Sequence, residues 1–358
     1  MPFHPERSSA QRARRAADCA GDAGHRQCHI RGHRHAHPRL AVPALRDLGL
    51  SDAAVHAVAP DFGRLPDFSR LFHRPVIVLA APRSGSTLLF ETLAEAPDAW
   101  TVGGESHQFI EGLRPLNPAV GRVDSNRLDA GHASERIVQA LRQRFARFLR
   151  DRDGREYFRN RHIERLRFLE KTPKNGLRQP FLEQVFPGAL YVFLVRDPRP
   201  NISSMMEAWK SGRWVTYPRL RGWRGPPWSL LLPPGWQQLN GRPLAEICAF
   251  QWASTNRIIL DDLASLPRER WMACEYGQLT ERTEATITGV CEFARLAMDE
   301  RLRRRIGGEL PLSRYTQTAP DPDKWRRNER EILPVTSPGH PFGVAETWQR
   351  CLQLLETR

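Results

Sequence analysis

The stretch that decides the fold is Val76-Ile77-Val78-Leu79-Ala80-Ala81-Pro82-Arg83-Ser84-Gly85-Ser86-Thr87. Its first six residues form an apolar run of about one strand's length, suited to a parallel sheet covered on both faces. Pro, Gly and small hydroxyl residues then make a short turn. Thr87 to Ala94 reads as a helix, with Leu89 and Leu93 four apart. Strand, small-residue loop and helix N-terminus together make an anion site. Backbone N–H groups converge there, the helix dipole favours negative charge, and hydroxyls add donors.

Working outward, Leu190-Tyr191-Val192-Phe193-Leu194-Val195 repeats the pattern of a buried strand and runs into Arg196-Asp197-Pro198-Arg199-Pro200. A helix is expected over Asn201–Trp209. Leu166 to Glu170 alternates as a strand leading to Lys171-Thr172-Pro173, with a helix expected over Leu177–Phe186. Further helices are expected over Ser134–Arg152, Leu244–Leu266, Thr283–Ala294 and Val344–Glu356, with a short strand at Trp271–Tyr276. On the first of these, Arg142, Arg144, Arg147 and Arg150 read as a solvated face. Strands alternating with helices predict an α/β, P-loop-like three-layer fold. A mostly parallel central sheet is flanked by helices, with ligands at the strand carboxyl ends.

Residues 1–43 form an Arg- and His-rich extension, read as disordered despite His25, His29, His33, His35, His37 and Cys28 crowding together. Residues 44–358 form the folded domain, opening with a short helical stretch up to Leu71. At about 210–243 a Trp- and Pro-rich insertion carries Trp214, Trp223, Trp228 and Trp236. It reads either as a packed minicore or as a lid.

The net charge of +14 suits an anionic partner or a solubilising surface. The six cysteines lie scattered without a CxxC pair, which argues against a zinc ribbon and for a reducing compartment, read as the cytoplasm. No apolar run reaches membrane-spanning length and no secretory signal is evident. No metal site is expected in the core.

The loop departs from a nucleoside-triphosphate P-loop. No GK[ST] follows the strand, and Arg83 precedes the glycine. Arg196 and Ser204, eight residues apart across a strand-to-helix turn, make a second anion site. Two such sites at adjacent strand ends suit a nucleotide with phosphates on both ribose ends. A P-loop nucleotide kinase, with Asp197 as a magnesium ligand, is the alternative enzyme. A basic protein binding an acidic polymer is the non-enzymatic one. No nucleic acid is expected, because no interleaved aromatic and basic motif appears.

The combination of Pro82–Thr87, Val195-Arg196-Asp197-Pro198 and Ser204 resembles the sulfotransferases that use 3′-phosphoadenosine-5′-phosphosulfate (PAPS). It is closest to the bacterial and tyrosylprotein-type branch with its PRSGST loop. The resemblance covers about residues 75–345. It implies a PAPS co-substrate and an acceptor hydroxyl (an amine being the lesser option), with the acceptor itself unidentified. Arg83, Ser84, Gly85, Ser86 and Thr87 are implied to hold the 5′-phosphosulfate, and Arg196 with Ser204 the 3′-phosphate. Glu105, in Gly104-Glu105, is the implied base, with His107 its rival. Lys171 is the implied lysine at the transferring group. Tyr276 matches the family's Tyr-Glu-Asp-Leu motif near adenine, although the chain reads Tyr276-Gly277-Gln278-Leu279. Lys324-Trp325 resembles the tail motif closing over the 3′-phosphate, and Ser313 is assigned beside it.

Overall fold

A computed structural model describes residues 68–356 apart from 69, 121, 160–162 and 317–320. The extension over 1–43, its histidines, Cys19 and Cys28, and the helical stretch before Phe68 lie outside the described residues.

The buried run becomes β1 (Val76–Leu79) and passes through the Pro82–Gly85 turn into α1 (Ser86–Leu93). Then come β2 (Ala99–Trp100), α2 (His107–Glu111), α3 (Glu135–Phe148), β3 (Arg167–Lys171) and α4 (Gln179–Val185). β4 (Leu190–Val195) leads to α5 (Pro198–Lys210), a two-stranded hairpin of β5 (Val215–Tyr217) and β6 (Trp228–Ser229), and α6 (Leu244–Ala264). β7 (Trp271–Glu275) is followed by α7 (Tyr276–Glu281), α8 (Thr283–Ala294), α9 (Glu300–Ile306), α10 (Glu329–Thr336) and α11 (Val344–Glu356).

Five strands form one sheet in the order β2-β3-β1-β4-β7. Every pairing in it is parallel, with Val76 opposite Leu169 on one side and Leu190 on the other. Alternate side chains of β1 enter different cores. Ile77 and Leu79 pack with α3, α4 and the far half of α6, whereas Val76 and Val78 pack with α1, α8 and α9. The same alternation divides β4, where Tyr191, Phe193 and Val195 oppose Val192 and Leu194. The expected three-layer α/β architecture is therefore present, and all strand carboxyl ends open on one edge.

The insertion is mostly a minicore. Trp228 and Trp236 are buried with Trp209, Tyr217 and the first half of α6. Their rings meet edge-to-face, Trp228 lying 5.4 Å from Trp209 and 5.8 Å from Trp236.

Three local expectations change. The helix expected over Leu177–Phe186 divides into a 3₁₀ turn, Pro173–Leu177, and α4, because Pro180 is confined to the first turn of a new helix. The helix expected to reach Arg152 ends at Phe148. Leu149 turns extended, and Arg150 bridges the backbones of Thr101 and Glu156. The arginine face of α3 is only partly solvated. Arg142 donates to the Val185 carbonyl at 2.7 Å and Arg144 to the Phe109 carbonyl at 2.9 Å, fastening α3 to α4 and α2. The four described cysteines, Cys248, Cys274, Cys291 and Cys351, are buried free thiols. No helix among the described residues is long and apolar enough to cross a membrane.

Candidate active site

The cradle begins with two left-handed residues, Arg83 (φ 67°) and Gly85 (φ 89°). Such a backbone at a non-glycine residue is costly and persists where surrounding structure holds it. Here the hold is visible. Asn201, on α5, donates to the Pro82 carbonyl at 2.8 Å, and its Oδ1 lies 2.7 Å from the Ser84 hydroxyl. The Ser84 side chain thus faces into the protein, where the Ala81 carbonyl is also 2.9 Å away. Its backbone N–H is what it can offer an anion. Gly85 precedes the first turn of α1, whose leading N–H groups have no intrahelical partner.

Arg83 joins the two expected anion sites. Its Nε donates to Ser204 Oγ at 3.4 Å, and Arg196 Nη1 donates to the Arg83 carbonyl at 3.1 Å. The Arg196 guanidinium lies 4.3 Å from the Tyr276 ring, and that ring abuts Gly85. Burial lowers the pKa of both arginines from their ordinary range; the Arg196 charge adds to this at Arg83, whereas Tyr276 and Asp197 partly offset it at Arg196. Asp197 is the N-cap of α5. It accepts from the Arg199 backbone N–H and pairs with the Arg199 guanidinium at 2.8 Å.

The expected base and lysine are in contact. Lys171 Nζ donates to Glu105 Oε1 at 2.7 Å and to Thr87 Oγ1 at 2.9 Å. Burial pushes the Glu105 carboxyl up. The charge and hydrogen bond of Lys171, helped by His107 and Lys174, outweigh this and hold it below the usual carboxylate range. His107 Nδ1 stands 4.0 Å from Glu105 Oε2. Burial and the nearby Lys174 charge push His107 down to about 4, so it is neutral at pH 7. Thr87, Phe90, Gly104, Glu105, Lys171, Arg314 and Tyr315 line a narrow cleft that is closed down too tightly to admit a water molecule. A wider groove, of about 860 Å³, lies between Thr280 and Leu310 and contains none of these residues.

Beneath α2 lies a buried charged network. Glu111 accepts from Lys174 Nζ at 2.7 and 2.8 Å, Arg178 Nη2 at 2.6 Å and Asn126 Nδ2 at 3.1 Å. Tyr217 Oη donates to Glu111 Oε2 at 3.2 Å and so ties the insertion to this floor. Burial alone would raise the Glu111 pKa, but Lys174 and Arg178 bring it to about 2.

Two aromatics escaped the sequence reading of the site. Trp214 stacks on Arg83, with the guanidinium 5.0 Å from its ring centroid, and meets Tyr315 edge-to-face at 5.1 Å. The Tyr315 carbonyl accepts from Arg83 Nη2 at 3.2 Å. Trp214 is the one insertion tryptophan that turns to the cradle, so the insertion is both minicore and cover. In the tail, the segment assigned through Ser313 reaches the site through its neighbours. Ser313 Oγ lies 2.9 Å from Thr316 Oγ1, whereas Arg314 pairs with Glu91 and donates to the Gly103 carbonyl. The Lys324-Trp325 motif packs on α5: Arg199 lies 5.3 Å from the Trp325 ring, and Asn328 Nδ2 donates to Ser203 Oγ at 3.0 Å.

With this geometry in hand, comparison with known proteins gives a family model for the "Sulfotransferase family" that matches residues 75–300. The chain belongs to the sulfotransferase family. Protein-tyrosine sulfotransferase A of Caenorhabditis elegans is 22% identical over 252 residues, covering 68% of this sulfotransferase but only 56% of that relative. Among solved structures, the sulfotransferase domain of the Synechococcus PCC 7002 olefin synthase is 21% identical. It covers 82% of this chain and 97% of its own, with a TM-score of 0.42. Sulfotransferase STF9 from Mycobacterium avium is 16% identical and covers 81% of this chain and 83% of its own, with a TM-score of 0.44.

Proposed function

We propose that this sulfotransferase moves the sulfuryl group of PAPS to an acceptor hydroxyl, with Glu105 as the base. The observation that carries the reading is the Glu105–Lys171–Thr87 chain of contacts, at 2.7 and 2.9 Å, beside a cradle into which Arg83 and Arg196 converge. A carboxylate, a buried ammonium and a helix N-terminus at one cleft suit a reaction that takes a proton from an alcohol while charge grows on a leaving phosphate oxygen. The acceptor oxygen forms a bond to sulfur, the bond from sulfur to the phosphate oxygen breaks, and Glu105 receives the hydroxyl proton.

The chain's own residues divide this work. Loop N–H groups, Ser86 and Thr87 would meet the 5′-phosphosulfate, and Arg196 with Ser204 the 3′-phosphate. Arg83 spans both groups. Tyr276 flanks the nucleotide side, and the segment around Ser313 and Lys324 flanks the cover. Lys171 neutralises Glu105 until an anion arrives. Sharing Lys171 with that anion raises the basicity of Glu105 at the moment a base is needed. The kinase alternative is weakened because Asp197 is engaged as a helix cap and ion-pair partner. Buried free thiols fit a reducing compartment, the cytoplasm.

The test is transfer from sulfur-labelled PAPS, with adenosine 3′,5′-bisphosphate binding followed by calorimetry. Binding at micromolar concentration is expected. Folded protein that binds no such nucleotide, or that needs ATP and magnesium, would sink the reading. Glu105→Ala should abolish transfer with nucleotide affinity nearly intact, and surviving activity would remove Glu105 from the role of base.

A further inference from the structure

Two hydroxyl residues next to the reacting pair give up their ordinary work. Ser106 occupies the N-cap of α2 and Thr172 the N-cap of the 173–177 turn, yet neither side chain caps its helix. At such positions the hydroxyl normally accepts a backbone N–H from the first turn. Instead both turn to one buried carboxylate. Ser106 Oγ donates to Glu170 Oε1 at 2.5 Å, and Thr172 Oγ1 donates to the same oxygen at 2.8 Å. Asn175 Nδ2 adds a third bond at 3.1 Å, and the Ser106 backbone N–H donates to Thr172 Oγ1 at 2.8 Å. Glu170 is fully buried, as is Ser106, and Thr172 is 1% exposed.

We propose that Glu170 is a positioning residue, whose carboxyl clamps the segment carrying Glu105 to the strand end carrying Lys171 and so sets the contact between them. The chain order supports this. Ser106 follows Glu105, and Thr172 and Glu170 flank Lys171. Each reacting side chain is thus one peptide unit from the clamp. Glu170 Oε2 has no hydrogen-bond partner among the described residues, so the carboxyl serves the clamp through one oxygen. Burial pushes its pKa up to about 7, and a neutral side chain of the same shape keeps the accepting oxygen. Glu170 does not touch the cleft. It acts through its neighbours, and the proposal rests on Glu105 and Lys171 being the reacting pair.

The test needs neither donor nor acceptor. Lys171 is 2% exposed and Lys174 is 6% exposed, so both are shielded from acetic anhydride in the folded chain. Lys174 is held by Glu111 and Tyr217 and serves as the internal control. In Glu170→Ala, acetylation of Lys171, followed by peptide mass spectrometry, should quicken about tenfold while Lys174 stays protected. Glu170→Gln should behave as the wild type. Ser106→Ala, which removes one bond of the clamp, should move the same way by less. It decides the matter if Glu170→Ala does not fold. Unchanged protection of Lys171 in whichever of the two folds would overturn the proposal. So would equal quickening at Lys171 and Lys174, since that is general loosening. In the transfer assay, Glu170→Ala should lose about a hundredfold in kcat, the scale of an ångström's misplacement. Affinity for adenosine 3′,5′-bisphosphate should hold. Absence of nucleotide binding in the wild type would instead count against the proposed function and leave the labelling result standing.

Discussion

Replacing Gly85 by alanine should damage the donor site through one ring. The residue sits at φ 89°, and a Cβ there would lie 2.3 Å from Tyr276 Cδ2 and 2.4 Å from Cε2. Two costs add. An L-residue in the left-handed region loses about 1–2 kcal/mol. The ring must also retreat by roughly an ångström to restore van der Waals contact, which draws it from the Arg196 guanidinium 4.3 Å away. A cation–π contact of that kind contributes about 0.5–2 kcal/mol. Gly85→Ala should therefore lose about 2–4 kcal/mol of stability in urea. It should bind adenosine 3′,5′-bisphosphate about tenfold more weakly or worse, as Arg196 loses its support. The decisive measurement is the double variant. Tyr276→Ala removes the obstacle, so Gly85→Ala added to it should cost only the backbone part. The two changes should then couple by about 1 kcal/mol or more. Strict additivity, or a Gly85→Ala protein as stable as the wild type, would refute the reasoning.

Arg196→Ala should weaken adenosine 3′,5′-bisphosphate by about 10- to 100-fold, the scale of a charged hydrogen bond. It should weaken adenosine 5′-phosphosulfate less, and equal losses would remove the 3′-phosphate from Arg196. Because Lys171 holds Glu105 below its ordinary 4.5, kcat/KM should stay level as pH falls through 5 and drop only below the usual glutamate range. In Lys171→Ala the raising effect of burial is left in charge, so the residual acid limb should move upward; a stationary limb would contradict the pairing. Glu111→Gln leaves Lys174 and Arg178 buried without their counter-charge. It should cost about 3–5 kcal/mol in urea, and a loss under about 1 kcal/mol would count against the network. The Glu111 pKa is lowered on folding from 4.5 to about 2. Its contribution, on the order of 3 kcal/mol, is therefore complete above pH 4.5 and is lost as pH falls toward 2.

The features legible in the chain were those with local signatures. β1, β4 and the cradle declared themselves because a strand buried on both faces is an unbroken apolar run. The helices at Thr283–Ala294 and Val344–Glu356 ran to the expected residues because their apolar periodicity is uninterrupted. β2, only Ala99–Trp100, and the β5–β6 hairpin were invisible, being too short for any period to register. Trp214 and Tyr315 reach Arg83 from far along the chain, and no pattern near either residue announces that meeting. The inward turn of Ser84, Ser106 and Thr172 was equally hidden. A hydroxyl beside a glycine or at a helix start reads as a ligand donor or a cap until its tertiary partner is known. Arg142 and Arg144 were misjudged for a related reason. A guanidinium can lie on a polar face and still spend its donors on the carbonyls of a neighbouring helix.

The strand order carries a consequence for how the site can change. Moving across the sheet from β2 to β7, the carboxyl ends deliver Glu105, Lys171, the cradle, Arg196 and Tyr276 in turn. Strands stand about 4.8 Å apart, so this row is a ruler of about 19 Å with one functional group at each graduation. Its two halves are separable. On the proposed function, the donor is measured by β1, β4 and β7 in the interior and at one margin. On the same reading the acceptor is met at the opposite margin, where β2 is only two residues long and, among the described residues, pairs only with β3. New acceptors can be accommodated by rebuilding that margin while the graduations that measure the donor stay fixed.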